Sequence, residues 1–179
     1  MGKIDLTKTH KTYFTANTKP ELVHIENAQF ISICGKGDPN EKEFSDKIQV
    51  LYTMAYVLKF SYKSKDKDFV VSKLEGLWWF DQTKYANKAI TTSSTEVPRG
   101  EWEYRLLIRL PEFVTKAEVE KAKEMDLTIK DIQLIGQIEF YTQTEGKSVQ
   151  MLHVGPFSIE PEILKQIGKF MEANKLITN

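Results

Sequence analysis

A single glutamate set among large apolar side chains is the residue of this sequence best suited to chemistry. Glu75 lies in the segment LEGLWW at 74–79, which also holds two of the three tryptophans. Residues 69–80 contain few turn formers and many β-branched or aromatic side chains, so they predict a β-strand. Side chains alternate between the faces of a strand, which places Trp79 on the same face as Glu75 and Trp78 on the other.

Glu75 has three interpretations from the sequence. A carboxylate on an apolar strand face is unfavourable to bury unless it is paired or protonated. It would serve as the counter-charge of a cationic ligand or, in a dry pocket that raises its pKa, as a general acid or base. The structural alternative is an ion pair with Lys73 or Arg105, or a carboxylate that reaches solvent at the rim of a sheet. The sequence does not choose between these three.

Aromatic residues on two neighbouring predicted strands are candidate walls of a ligand site. Trp78 and Trp79 lie on the first of these strands, at 69–80, and Trp102 and Tyr104 lie on the second. Aromatic faces sandwich planar ligands, and a cation over an indole ring gains about 0.5–2 kcal/mol. Alternation allows only one of Trp78 and Trp79 to face the site, and we predict Trp79 as the contact because it shares the face of Glu75. Trp78 is predicted to be core, and packing against the core is the alternative for all four residues.

Tyr141 is the second candidate catalytic residue. It alternates with Phe140 in a predicted strand at 137–143 and is expected to reach the site as a hydroxyl donor. The sequence has no Cys/His cluster with metal-ligand spacing, no complete phosphate-loop or dinucleotide pattern and no Gly-x-Ser-x-Gly segment. We therefore expect neither a metal nor a cofactor.

Composition narrows the function classes. The 179 residues include 25 basic and 25 acidic side chains, so a nucleic-acid partner is not expected. No apolar run is long enough to span a bilayer, and the N-terminus lacks an apolar signal segment, so no membrane partner is expected either. Cys34 is the single cysteine, which fits a reducing compartment. These features predict a cytoplasmic protein.

The order of predicted elements suggests an α+β fold with an internal repeat. A strand, a glycine-containing loop and a long helix occur twice, and two further strands follow only the first copy. Either the sequence continues beyond Asn179, or the second copy is shortened and leaves an open sheet edge at which a homodimer would form. The predicted parts are an arm at 1–20 and one domain at 21–179, divided into module one at about 21–114, a linker helix at about 115–125 and module two at about 132–179. Within module two, strands at 137–143 and 148–154 are predicted to form a hairpin.

Four separate blocks of the sequence occur in this order in one known group of proteins. They are GKGDPN at 35–40, LEGLWW at 74–79, PEFV at 111–114 and HVGPF at 153–157. On these blocks the chain resembles the GyrI-like small-molecule-binding domain proteins, which are related to the effector-binding domain of the multidrug regulator BmrR. It is most similar to the stand-alone subgroup that carries the LEGLWW strand.

The resemblance implies a fold and a range of functions. The fold would consist of duplicated strand–helix–strand–strand modules whose antiparallel sheets form a concave cleft for bulky, planar, hydrophobic or cationic small molecules. Some stand-alone members hydrolyse the strained cyclopropane of DNA-alkylating toxins, with carboxylate and aromatic residues holding the compound and activating water. Two alternatives stay open: a non-enzymatic drug-binding or sensor domain, and a protein-interaction module of the gyrase-inhibitor type.

Overall fold

Two antiparallel sheets and six α-helices make up the part of the chain that the computed structural model describes, which is residues 2–85, 96–125, 132–156 and 159–177. The strands are β1 (Glu21–Ile25), β2 (Ala28–Lys36), β3 (Leu74–Trp79), β4 (Glu103–Leu110), β5 (Glu139–Gln143) and β6 (Gly146–Gln150). The helices are α1 (Leu6–Thr9), α2 (Lys11–Phe14), α3 (Lys42–Lys63), α4 (Lys116–Met125), α5 (Ile132–Gly136) and α6 (Glu160–Ala173). The predicted α+β class is confirmed. In these ranges no helix combines the length and the apolar character that crossing a membrane requires.

The larger sheet contains the predicted strand–helix–strand–strand unit. Its strand order is β3–β4–β2–β5, and the smaller sheet pairs β1 with β6. The elements β2, α3, β3 and β4 follow one another along the chain and form the unit, while β6 and α6 supply a second strand and helix. Each sheet contains strands from both predicted modules. In the smaller sheet β1 of module one pairs with β6 of module two, and in the larger sheet β2 of module one pairs with β5 of module two.

The strands β5 and β6 are consecutive in the sequence, but they belong to different sheets. The hairpin predicted from 137–143 and 148–154 is therefore wrong. Only Thr144 and Glu145 separate the two strands, and Gly146 follows with a φ of 68°. At this point the chain passes from the larger sheet to the smaller one. A turn signal marks where a chain changes direction, but it does not determine which strand each side of the turn will pair with.

The strand predicted over 69–80 is shorter in the structure. β3 begins at Leu74. Phe69 is 1% exposed and belongs to the core, where it forms a single parallel bridge with Ile4. The apolar residues at the start of this segment therefore reflect burial rather than pairing within a sheet.

Helix α3 covers one face of the larger sheet and forms the main core with it. Its buried side chains recur at spacings of three and four residues, which gives the helix one apolar face, and include Leu51, Ala55, Leu58 and Tyr62. Alternate residues of the central strands point toward this helix, among them Ile31, Ile33, Tyr104, Leu106 and Ile108. The residues between them lie on the opposite face of the sheet, which is where Glu75 is found.

The N-terminal arm lies against the body of the domain. The backbone of Ile4 accepts a hydrogen bond from the amide of Val70 at 2.7 Å and donates one to the carbonyl of Asp68 at 2.9 Å. Asp5 caps α1 by accepting a bond from the amide of Thr7 at 3.1 Å. Leu6 is 6% exposed. These contacts fix the arm before it reaches the face of the sheet that carries Glu75.

Replacing Gly35 by alanine is expected to destabilise the core. A Cβ atom at Gly35 would overlap the ring of Tyr104, which is 1% exposed and held by its neighbours. Such overpacking should lower the free energy of unfolding by about 1–3 kcal/mol. Urea denaturation measures the change, with Gly100→Ala as the control because a Cβ there meets no atom within 4 Å. Equal stabilities of the two variants would contradict the prediction.

Candidate active site

The aromatic residues predicted as ligand contacts lie on two different faces of the larger sheet. Tyr104 is in the core on the α3 side, with its ring edge-to-face against Phe44 at 5.0 Å. Trp78 lies on the same side, 5.3 Å from Tyr104 between ring centroids, although it is 41% exposed. The assignment of Tyr104 to the ligand site is therefore corrected: strand alternation turns it away from Glu75 and into the core.

Glu75 lies at the edge of the larger sheet and faces the smaller one. It is paired with Leu107 of β4 in the register of the sheet. Beside it is a cavity of about 360 Å³, whose lining includes residues from the arm, from β3 and from both strands of the smaller sheet. Examples are Tyr13, Val23, Ile25, Leu74, Ser148 and Val149. The cavity therefore lies between the two sheets, where the resemblance implies a cleft.

The two carboxylate oxygens of Glu75 have different environments. Oε2 accepts a hydrogen bond from the hydroxyl of Tyr13, an arm residue. Oε1 is buried and has no hydrogen-bond partner in the described part of the chain. A buried acceptor without a partner is unfavourable for stability, and such groups occur where a ligand or a reaction needs them.

Burial raises the pKa of Glu75 above its usual value of 4.5. The hydrogen bond from Tyr13 and the charge of Arg109 act in the opposite direction, and the charge of Glu145 adds to the increase. Burial, followed by the hydrogen bond to Glu75, also raises the pKa of Tyr13 well above its usual value, so its hydroxyl remains a donor.

The ion pair that the sequence suggested for Glu75 does not form. Arg105 instead pairs with Glu139 at 2.9 Å, and no ion pair links Glu75 to Lys73 or any other described residue. The absence of such a pair leaves burial as the largest influence on the pKa of Glu75.

Arg109 holds the ring of Tyr13 from its face. The central guanidinium carbon of Arg109 lies 4.3 Å from the ring centroid of Tyr13, and the whole residue is 6% exposed. Tyr13 is therefore fixed at its hydroxyl by a carboxylate and at its ring by a cation. The next element of support comes from the smaller sheet, where the side-chain amide of Gln150 donates to the carbonyls of Thr12 and Thr15 at 3.3 and 3.1 Å.

The remaining candidate residues lie outside the cavity lining. Trp79 is on the face of Glu75, is 40% exposed and donates its indole N–H to Glu103 at 3.1 Å. Tyr141 is on the same face under Arg105, whose guanidinium carbon is 4.4 Å from the ring centroid. Trp102 precedes β4 and packs on Phe80, 5.1 Å away between centroids.

Tyr13 and Arg109 were missed from the sequence. Tyr13 stands in a polar segment with no strand or helix pattern around it, and its only local signal is the adjacent aromatic Phe14. Arg109 lies in a segment where charged and apolar residues alternate. This pattern normally indicates that the charged residues lie on the solvent-exposed face of a strand. Neither pattern indicates that the two side chains would meet. Among the described residues no group of three acidic, His or Cys side chains is arranged to hold a metal ion.

Solved structures of proteins from Listeria innocua resemble this chain over almost its whole length. An uncharacterized conserved protein is 33% identical with a TM-score of 0.83, and the alignment covers 97% of this chain and 82% of that chain. The chain belongs to the family of this Listeria protein. Two hydrolases from Listeria innocua are each 32% identical to it, with TM-scores of 0.81 and 0.82, over 97% of this chain and 85% and 82% of theirs. No protein-family model matches the sequence, and no curated protein matches it.

Tyr13→Phe is expected to raise the pKa of Glu75 further. The substitution keeps the ring under Arg109 but removes the hydroxyl that favours the ionised carboxylate. The ¹³C shift of the Glu75 carboxyl, followed across pH and assigned by its loss in Glu75→Gln, measures the change. Tyr56→Phe is the matched control, because Tyr56 is 47% exposed on α3. A lower or unchanged pKa in Tyr13→Phe would show that the hydrogen bond is not held in solution.

Glu75→Gln is expected to stabilise the fold at neutral pH. Because the pKa of Glu75 is raised in the folded protein, that state binds the proton more tightly than the unfolded chain does. Its contribution to the free energy of unfolding is therefore largest below the usual pKa of 4.5 and falls as the pH rises through the raised value. The Tm of Glu75→Gln should exceed that of the wild type at about pH 7, and the difference should shrink at about pH 4. A difference that does not change with pH would contradict the raised pKa.

Proposed function

We propose that the protein is a hydrolase that binds a bulky, planar, hydrophobic or cationic small molecule between its two sheets and activates water with Glu75. The observation that carries this proposal is the carboxylate of Glu75, with Oε2 held by Tyr13 and Oε1 buried without a described partner beside a cavity of about 360 Å³. The similarity to two proteins described as hydrolases supports the reaction class.

The hydrogen bond from Tyr13 determines which oxygen of Glu75 is available. With Oε2 occupied by the hydroxyl, Oε1 has lone pairs ready to accept a proton from a water molecule in the cavity. Burial raises the pKa of the carboxyl group, and a carboxylate with a raised pKa is a stronger base in its ionised form. Tyr13 and Arg109 together hold the carboxylate in one orientation, which is what proton transfer requires.

The reaction we propose adds one water molecule across a strained bond. A water proton moves to Oε1 of Glu75 while the water oxygen attacks an electrophilic carbon of the substrate. A C–O bond forms, and the strained C–C bond breaks with its electron pair retained by the substrate. The proton on Glu75 then passes to that electron pair, so the product equals substrate plus water and the carboxylate is regenerated.

The substrates that we propose are cyclopropane-bearing, DNA-alkylating toxins, as the resemblance to the stand-alone GyrI-like proteins implies. The strand–helix–strand–strand unit formed by β2, α3, β3 and β4 supports this resemblance. Trp79, which is 40% exposed on the face of Glu75, supports a planar ligand. The role would be protection against such compounds in the cytoplasm, and a homodimer through the smaller sheet remains a prediction.

Binding without turnover is the second candidate function. One observation favours it: Arg105 is fixed on the same face by Ser32 at 2.8 Å and by Glu139 at 2.9 Å, and it covers the ring of Tyr141. This network presents charge and aromatic surface in fixed positions, and its carboxylate, Glu139, is held in the ion pair with Arg105. It would suit a drug-binding or sensor domain that recognises a flat molecule.

Glu75→Gln separates the two functions. The variant keeps the size of the side chain and an acceptor for Tyr13 but removes the base. If Glu75 activates water, hydrolysis of a cyclopropane-bearing substrate should fall by about 10²–10⁴-fold, while substrate binding changes much less. The gain of one water by the substrate is followed by mass spectrometry, and binding by tryptophan emission. Glu124→Gln is the matched control, since Glu124 is exposed on α4.

Two other outcomes of these measurements would favour binding without turnover. Weaker binding of a cationic ligand with unchanged binding of a neutral one would make Glu75 a counter-charge in a non-enzymatic binder. If the wild-type protein binds the ligand in an independent assay but shows no turnover, the hydrolase proposal is contradicted.

A further inference from the structure

A second cavity, separate from the one beside Glu75, lies against the N-terminal arm. Its volume is about 280 Å³, and none of its lining residues lines the first cavity. The arm contributes Leu6 and His10, and strand β4 contributes Arg109. The proposed function does not use this cavity.

Arg109 is nearly buried, yet its guanidinium group has no hydrogen-bond acceptor in the described part of the chain. The residue is 6% exposed, and the interactions that hold it are the rings of Tyr13 at 4.3 Å and Phe14 at 5.9 Å. A guanidinium has five N–H donors in a planar fork. Stacking over a ring uses the face of this group and leaves the donors at its edge without acceptors. Because Arg109 lines this cavity and not the first, donors from which no described residue accepts are available there to an anionic ligand.

The neighbouring polar side chains do not supply the missing acceptor. The amide nitrogen of Gln29 donates to the carbonyls of Pro111 and Val114 at 2.6 and 2.7 Å. Glu26 and Glu112 line the cavity, but both are exposed, and neither forms an ion pair with Arg109. Their charges affect the choice of anion, because two nearby carboxylates repel a dianion more than a monoanion.

We infer that this cavity is a binding site for the carboxylate group of a small molecule, held by Arg109. The planar fork of the guanidinium matches the two oxygens of a carboxylate in a bidentate arrangement. The surrounding Glu26 and Glu112 favour a monoanion over phosphate. The volume of about 280 Å³ admits a ligand that carries an aromatic or aliphatic body as well as the carboxylate.

The test uses the full chain with benzoate as the probe and inorganic phosphate as the comparison. Benzoate should bind saturably in a calorimetric titration and should bind more tightly than phosphate. Arg109→Gln should weaken benzoate binding by at least about tenfold, since it removes the charged donors. Glu112→Gln should tighten binding, because it removes a repelling charge from the cavity lining. Arg99→Gln is the matched control and should leave benzoate binding unchanged, since the Arg99 side chain is 63% exposed and pairs with Asp38.

A second measurement keeps the inference testable if Arg109→Gln does not fold. In the wild-type protein, benzoate should shift the ¹⁵N signal of the Arg109 side chain, which Arg109→Lys identifies by its loss. Arg109→Lys should also bind benzoate more weakly, because it keeps the charge but lacks the fork. Absence of saturable benzoate binding, tighter binding of phosphate, or benzoate binding that leaves the Arg109 signal unmoved would each overturn the inference.

Discussion

The candidate site depends on one hydrogen bond, between the hydroxyl of Tyr13 and Oε2 of Glu75. A partly buried carboxylate is unfavourable for stability. The Tyr13 hydroxyl satisfies Oε2 of Glu75, while Oε1 stays available to accept a hydrogen bond. The bond joins the arm to the edge of the larger sheet, and Arg109 fixes the ring that supplies it. The positions of the arm, β3 and β4 relative to one another therefore decide whether Glu75 has a defined orientation.

Side chains alternate between the two faces of the larger sheet, so one face forms the main core and the other carries the candidate site. The face toward α3 is filled by close-packed apolar residues, and Tyr104 belongs to that face. The opposite face carries Glu75, Trp79, Arg105 and Arg109, whose polar groups contact Tyr13, Glu103, Ser32 and Glu139 around a small apolar cluster of Ala28, Phe30 and Leu107. Substitutions on the two faces should consequently affect different properties of the protein.

Local patterns in the sequence predicted the features that depend on local geometry. They include the long helix α3 after the first glycine-containing loop, the shared face of Glu75 and Trp79, and the helix at about 115–125, which is α4 and where the amide of Glu118 donates to the Thr115 hydroxyl at 3.3 Å. The errors and omissions concern residues far apart in the chain. The separation of β5 from β6 follows from pairing with β2 and β1, and the meeting of Tyr13 with Glu75 joins residues 62 positions apart. Periodicity contains no information about such pairings.

The contacts between Gln150 and the arm affect the order in which parts of the protein fold during synthesis. The side chain of Gln150 holds the carbonyl of Thr12, which is 138 positions earlier in the sequence. During synthesis the arm and β3 leave the ribosome long before β6 exists to hold the arm in place. A nascent chain can therefore pair β2, β3 and β4 and pack them against α3 while Tyr13 still lacks the support of Gln150. Loop closure over such a distance is slow compared with local folding, so this support of Tyr13 forms after the contacts between these earlier elements.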